Sequence, residues 1–207
     1  RQTANINIPQ IITSEIARIT AVCDVDSWRL GNARKQVDDA YSEKKGGKYK
    51  SCKAYEDYRE IIQDKDIDAV MISTPDHWHV PMAIESARAG KHISLEKPIS
   101  TCVQHGRELV KAIQQTGVIT RNDSEFRTIP EFSRAVELVR NGRIGKIKRI
   151  HVAVPAELNG AALPPQLTMP VPEELNYDMW LGPAFEVPYT EKRVHAPKEY
   201  GRPGWMR

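Results

Sequence analysis

The sequence predicts a doubly wound α/β fold with a parallel sheet. Three observations carry this. Short, near-continuously apolar, β-rich runs recur along the first 120 residues. Patterns of helical length separate them, as crossovers between parallel strands require. The runs also lack the strict polar alternation of a sheet with one wet face, so helices should cover both faces.

Taken in order, residues 19–23 form the first such run, ending at Asp24. A helix follows from Trp28 to about Lys44, and a short one from Tyr58 to Gln63. Residues 67–73 are the second strand, stopped by Thr74-Pro75. Residues 80–89 are alanine-rich and helical, with Gly90 as a terminating glycine. Residues 92–95 are the third strand, ending at Glu96-Lys97-Pro98. Thr101-x-x-Gln104 has capping-box spacing and predicts a helix from 101 to 116, stopped by Gly117. Residues 117–120 are the fourth strand. Residues 130–141 predict a helix with Phe132, Val136 and Val139 on one face.

Beyond Gly145 the character changes. Residues 146–154 alternate and predict a strand of a second sheet. From 155 to 203 proline is frequent and helical periods are absent. An ordered surface excursion is expected there, packed through Tyr177, Trp180, Phe185, Tyr189, Tyr200 and Trp205. The pattern divides the chain into a doubly wound α/β domain over 1–123 and a second region with a sheet of its own over 124–207.

Composition narrows the class. The chain has 207 residues, 40% hydrophobic and 28% charged, which fits a globular protein and excludes disorder, collagen or coiled coil as a description of the whole. No apolar run approaches the length of a membrane span. The first five residues carry no apolar signal region. The net charge of +3 comes from 30 basic and 27 acidic residues spread along the chain. The densest basic group, 44–50, reads as a solvated loop, so neither nucleic acid nor membrane is an expected partner. Cys23, Cys52 and Cys102 form no CxxC pair, and reduced, mostly buried thiols are expected. His77 and His79 form an HxH pair, but no further ligand lies at a persuasive spacing and no metal is expected.

Ligands of open α/β sheets bind at the carboxyl ends of the strands. Three clusters end the predicted strands: Asp24-Val25-Asp26, Thr74-Pro75-Asp76-His77-Trp78-His79, and Glu96-Lys97-Pro98. A carboxylate at Asp24 can accept both ribose hydroxyls of NAD and repel the 2′-phosphate of NADP, while Asp26 or Ser27 caps the next helix. Pro75 ends the ladder and leaves backbone open to a flat ligand. His79 fits a helix-start residue facing a cofactor, or else a capping or solvent-facing histidine. Lys97, inside a cleft, can hold a substrate hydroxyl and stabilise charge on its oxygen as hydride leaves the carbon.

In this order and spacing the motifs form a set. With residues 21–26, 55–60, 67–79, 89–98 and 141–145, together with Trp180-Leu181-Gly182-Pro183 and Trp205-x-Arg207, the chain resembles the Gfo/Idh/MocA family of NAD(P)-dependent oxidoreductases. The resemblance implies a Rossmann domain followed by an open-sheet domain over the nicotinamide. It implies that Asp24 binds the adenosine ribose and that Ser73, Thr74 and Pro75 line the cofactor, with His79 close by. Glu96 would lie near the nicotinamide ribose, and Lys97 would contact substrate and nicotinamide as the catalytic residue. Trp205 and Arg207 would reach back to the cofactor. The implied cofactor is NAD rather than NADP, the substrate a sugar or polyol, and the assembly a homo-oligomer.

The chain departs from the family pattern in two places. No GxG occurs, so the glycine-rich loop and first strand are not represented, and Arg1-Gln2-Thr3 resembles the residues that follow that loop. The family's catalytic histidine is expected beyond Arg207; His151 and His195 do not sit in its motif. The chain is therefore expected to be part of a longer protein, cytoplasmic by default or exported if a signal precedes it. Two other expectations stand beside the dehydrogenase. One is a glycoside-cleaving enzyme that oxidises the sugar transiently; the other is a non-catalytic binding protein of the same fold.

Overall fold

A computed structural model describes residues 6–45, 51–124, 127, 129–153, 166–190, 192–194 and 198. Helices and strands alternate as α1 (Ile8–Thr13), β1 (Ala21–Cys23), α2 (Ser27–Lys45), β2 (Lys53–Tyr55), α3 (Tyr58–Gln63), β3 (Ala69–Ile72), α4 (Asp76–Arg88), β4 (His92–Leu95), α5 (Val103–Thr116) and β5 (Thr120–Asn122). They are followed by α6 (Pro130–Arg140) and a single helical turn, α7 (Tyr177–Leu181).

The strand pairings among the described residues are all parallel. β1 pairs with β2, and separately β3, β4 and β5 pair in that order. This matches positions 3-2 and 4-5-6 of the 3-2-1-4-5-6 dinucleotide order, with no described strand at position 1. Register aligns Ile72, Leu95 and Asn122, so the three strands end side by side. The main core lies beneath them. Leu95, Ala83, Ala87 and Leu109 are fully buried where β4 meets α4 and α5. A second cluster, around Val37, Tyr41 and Cys52, holds α1 against α2.

Several elements differ from expectation for identifiable reasons. α4 starts at Asp76, four residues early, with Pro75 as its cap and Pro81 within it. Thr101 and Gln104 form no capping box. The helix begins at Val103 with no side-chain cap, and Thr101 Oγ1 lies 3.4 Å from His105 Nδ1 instead. Gly117, at φ 71°, ends α5 as expected, and β5 then starts later because Thr120 is the residue that pairs with Ile93.

The apolar face of α6 is exposed at Phe132, Val136 and Val139. Residues 146–153 form no strand, and nothing among the described residues pairs with them. Phe185 is exposed rather than packed, while Tyr177, Trp180 and Tyr189 share a cluster. Lys44 and Lys45 belong to α2, not to a loop, and Lys44 Nζ donates to Ile12 O. Residues 46–50, Tyr200 and Trp205 lie outside the described residues. No described helix is long and apolar enough to cross a membrane.

The three cysteines are free: Cys52 is buried, Cys23 half-buried and Cys102 exposed, contrary to the expectation of mostly buried thiols. Burial, reinforced by Asp24, pushes the Cys23 thiol up to about 12. Burial, reinforced by Asp38, pushes Cys52 up to about 11. Both stay protonated at pH 8, where a thiolate is the reactive form. Iodoacetamide at that pH should label Cys102 in the folded protein, and Cys23 and Cys52 only after unfolding, as peptide mapping will show. Leu95→Ala should lower the urea-unfolding free energy by about 2–5 kcal/mol through the cavity it opens. Val136→Ala on exposed α6 should change it by less than about 0.5 kcal/mol.

Candidate functional site

The candidate site lies at the carboxyl ends of β3 and β4, with β5 paired on the far side of β4. Glu96 N donates to Ile72 O at 3.0 Å and carries the ladder one residue past β4. This sets Ser73 beside Glu96. The Glu96 carboxylate is only 8% exposed. Its Oε1 accepts from Asn7 Nδ2 at 3.3 Å and its Oε2 from Lys97 N at 3.3 Å. Asn7 Nδ2 also donates to Ser73 Oγ at 3.0 Å, so one buried amide at the start of α1 ties both strand ends together. Lys97 is exposed, precedes a cis proline, and its ammonium has no hydrogen-bond or ion-pair partner among the described residues.

His79 sits in the first turn of α4 and is 1% exposed. Nε2 is 2.9 Å from Thr74 O and Nδ1 is 2.7 Å from Pro98 O. Carbonyls only accept, and a neutral imidazole donates from one nitrogen, so each tautomer ties down one of the two strand-end loops. The ring therefore engages the backbone beneath the site. Its partner in the HxH motif, His77, points elsewhere, with Nε2 2.9 Å from Trp180 O. Among the described residues no group of His, Cys, Asp or Glu is arranged to hold a metal.

At the end of β1, Asp24 N donates to Tyr55 O, and Asp24 Oδ1 accepts from Asp26 N at 3.0 Å. Asp26 caps α2 by accepting from Arg29 N at 2.9 Å, which leaves Asp24 out of the helix cap. Trp205 and Arg207 lie outside the described residues.

Among the described residues, two polar atoms at these strand ends are buried with no partner: Thr74 Oγ1 after β3 and Asn122 Oδ1 at the end of β5. Buried polar atoms are normally satisfied. Groups left open beside an exposed ammonium and a buried carboxylate fit a ligand rich in hydroxyls and amides, as a dinucleotide is. Sequence reading missed Asn7 and Asn122. Asn7 precedes an element with no periodic signal, and Asn122 ends a strand placed too early.

The comparisons with known proteins agree with this geometry. Residues 7–124, more than half of the chain, match the oxidoreductase family with an NAD-binding Rossmann fold. The chain belongs to the Gfo/Idh/MocA family. Residues 161–201 match the same family's C-terminal α/β domain.

Among the relatives of this family member, a levoglucosan dehydrogenase from Pseudarthrobacter phenanthrenivorans is 35% identical over 91 residues, 44% of this chain and 23% of that protein. A glycosyl hydrolase family 109 protein from Shewanella sp. is 37% identical over 102 residues, 49% of this chain and 22% of that one. The crystal structure of scyllo-inositol dehydrogenase from Lactobacillus casei, with bound NAD(H) and scyllo-inositol, aligns with a TM-score of 0.58 at 26% identity. It covers 68% of this chain and 38% of that one. The chain thus spans well under half the length of each of these proteins.

Asn7→Ala should cost about 1–3 kcal/mol in urea unfolding, because it leaves the Glu96 carboxylate buried with one donor fewer. Asn7→Asp should cost more at pH 7 than at pH 4, since it sets a second carboxylate against the first. Equal losses at both pH values would contradict this account of Glu96.

Proposed function

We propose that this oxidoreductase transfers hydride between NAD and a hydroxyl-bearing carbon of a sugar or polyol. The observation that carries the reading is the end of β4. There a buried, hydrogen-bonded carboxylate precedes an exposed, unpaired lysine, one strand away from unpartnered polar atoms on either side. NAD, when bound, supplies the hydride acceptor. In this reading Lys97 holds the substrate hydroxyl and stabilises the negative charge that grows on its oxygen. Glu96 meets the nicotinamide ribose. Ser73, Thr74 and Pro75 line the cofactor, and His79 fixes the backbone that they belong to. Asp24 takes the adenosine ribose hydroxyls and disfavours a 2′-phosphate. Trp205 and Arg207 complete the cofactor contacts, the boundary between the two domains falls at 123/124, and the protein works as a homo-oligomer.

A second reading has one specific observation in its favour, the 37% identity to a glycosyl hydrolase family 109 protein. Here the same residues would hold a glycoside whose hydride passes transiently to NAD; the glycosidic alcohol would leave by elimination, water would add in its place, and the hydride would return to the sugar.

The full-length protein should form NADH, followed by absorbance, with one or more members of a sugar and polyol panel. Lys97→Ala should lower kcat/KM by about 10²–10³-fold; unchanged turnover would remove the role given to Lys97. Asp24→Ala should raise the KM for NAD about tenfold, a loss of about 1.4 kcal/mol, and narrow the preference over NADP. Release of free sugar from a glycoside without net NADH would establish the second reading.

A further inference from the structure

The segment 172–190 is bound to two loops at once. On one side it meets the β1–α2 loop. Ser27 N donates to Glu174 O at 2.8 Å, Asn176 N donates to Val25 O at 2.9 Å, and Asp26 and Leu175 form an antiparallel bridge. On the other side it meets the start of α4. Trp78 Nε1 donates to Met179 O at 2.9 Å, with Trp180 O at 3.2 Å, and His77 Nε2 lies 2.9 Å from Trp180 O. The Trp78 ring is 9% exposed and lies directly on Gly182. A Cβ at Gly182 would come 2.0 Å from Trp78 Cζ2, and the residue's φ is 48°. Only glycine fits there, on both counts.

These two loops follow the strand ends that carry Asp24 and Thr74. In the 3-2-1-4-5-6 order these loops follow positions 2 and 4, and the acid that meets the adenosine ribose stands at the end of position 2. We propose that Trp78 is a positioning residue for the adenosine half of the dinucleotide, acting through the segment 172–190 and seated by Gly182. This rests on the cofactor reading given above. The path is continuous: the Trp78 indole holds the carbonyls that end α7, the start of α7 holds Val25 and Asp26, and Asp26 N holds Asp24 Oδ1. Loss of the indole donor leaves His77 as the one side chain that holds this end of the segment by a described hydrogen bond, and lets the Asp24 loop drift from the β3 loop. Sub-ångström errors of that kind weaken a multipoint ligand without touching any contact directly.

The test uses the full-length protein and ADP-ribose, which carries the adenosine half without nicotinamide. Trp78→Phe keeps the ring and deletes the donor; Gly182→Ala drives a methyl group into the ring. Calorimetry should show Kd for ADP-ribose and for NAD rising together, about threefold for the first variant and tenfold or more for the second. In turnover the effect should fall on KM for NAD rather than on kcat. Phe185→Ala, on the same segment but exposed and away from both anchors, should bind ADP-ribose as the parent does. If Gly182→Ala does not fold, Trp78→Phe decides alone. A Trp78→Phe protein with a lower melting temperature and the parent's Kd would overturn the proposal, leaving Trp78 as packing only. A parent that binds neither NAD nor ADP-ribose would overturn the cofactor reading and this proposal with it.

Discussion

A carboxylate taken out of water must find donors or lose its charge, and the architecture around β4 follows from how Glu96 finds them. The main chain supplies one, Lys97 N. The other comes from Asn7, nearly ninety residues earlier, at the start of α1. An amide suits this place better than a lysine or arginine, because it adds no charge next to Lys97. It also has capacity to spare, and the same nitrogen binds Ser73 on β3. One satisfied anion thus fixes α1, β3 and β4 against each other, and it does so at the end of the sheet where ligands bind.

The remaining polar groups divide by what they do with their hydrogen bonds. His79 has both ring nitrogens against backbone carbonyls, so it serves the framework. Among the described residues Thr74 Oγ1 and Asn122 Oδ1 are buried and unbonded, and Lys97 is exposed with no partner for its ammonium. Groups engaged with the backbone and groups open among the described residues thus lie side by side at these strand ends.

Much of this was legible in the chain. Pro75 and Pro98 punctuate β3 and β4, and glycines stop α4 and α5, so β4 and α3 fall where the residues put them. The strand-end clusters were readable because each breaks an apolar run with charge. What failed shares a cause, in that local pattern was tested against missing or stronger tertiary demands. The alternation after Gly145 has no described strand to pair with. Thr101 and Gln104 have the spacing of a capping box, yet the helix starts beyond Thr101. α1, β2 and α7 are three to six residues long, too short for any period to show. Asn7 was invisible for a different reason. Its importance lies entirely in the distant carboxylate that it meets.

The contacts of segment 172–190 bear on what counts as the cofactor site. It lies within the region that matches the family's C-terminal domain, yet its hydrogen bonds run to Val25, Ser27, His77 and Trp78 in the Rossmann part. Tyr177, Trp180 and Tyr189 bury their rings with Val25 packed against them. These are aromatic groups large enough to hold a loop in place without regular structure of their own. A lone Rossmann unit would present the β1–α2 and β3–α4 loops to water on this side. With the segment docked, the spacing between those loops is set by packing from another part of the chain. The separation of the two loops is therefore set jointly by both regions, through a tryptophan that can sit where it does only because residue 182 has no side chain.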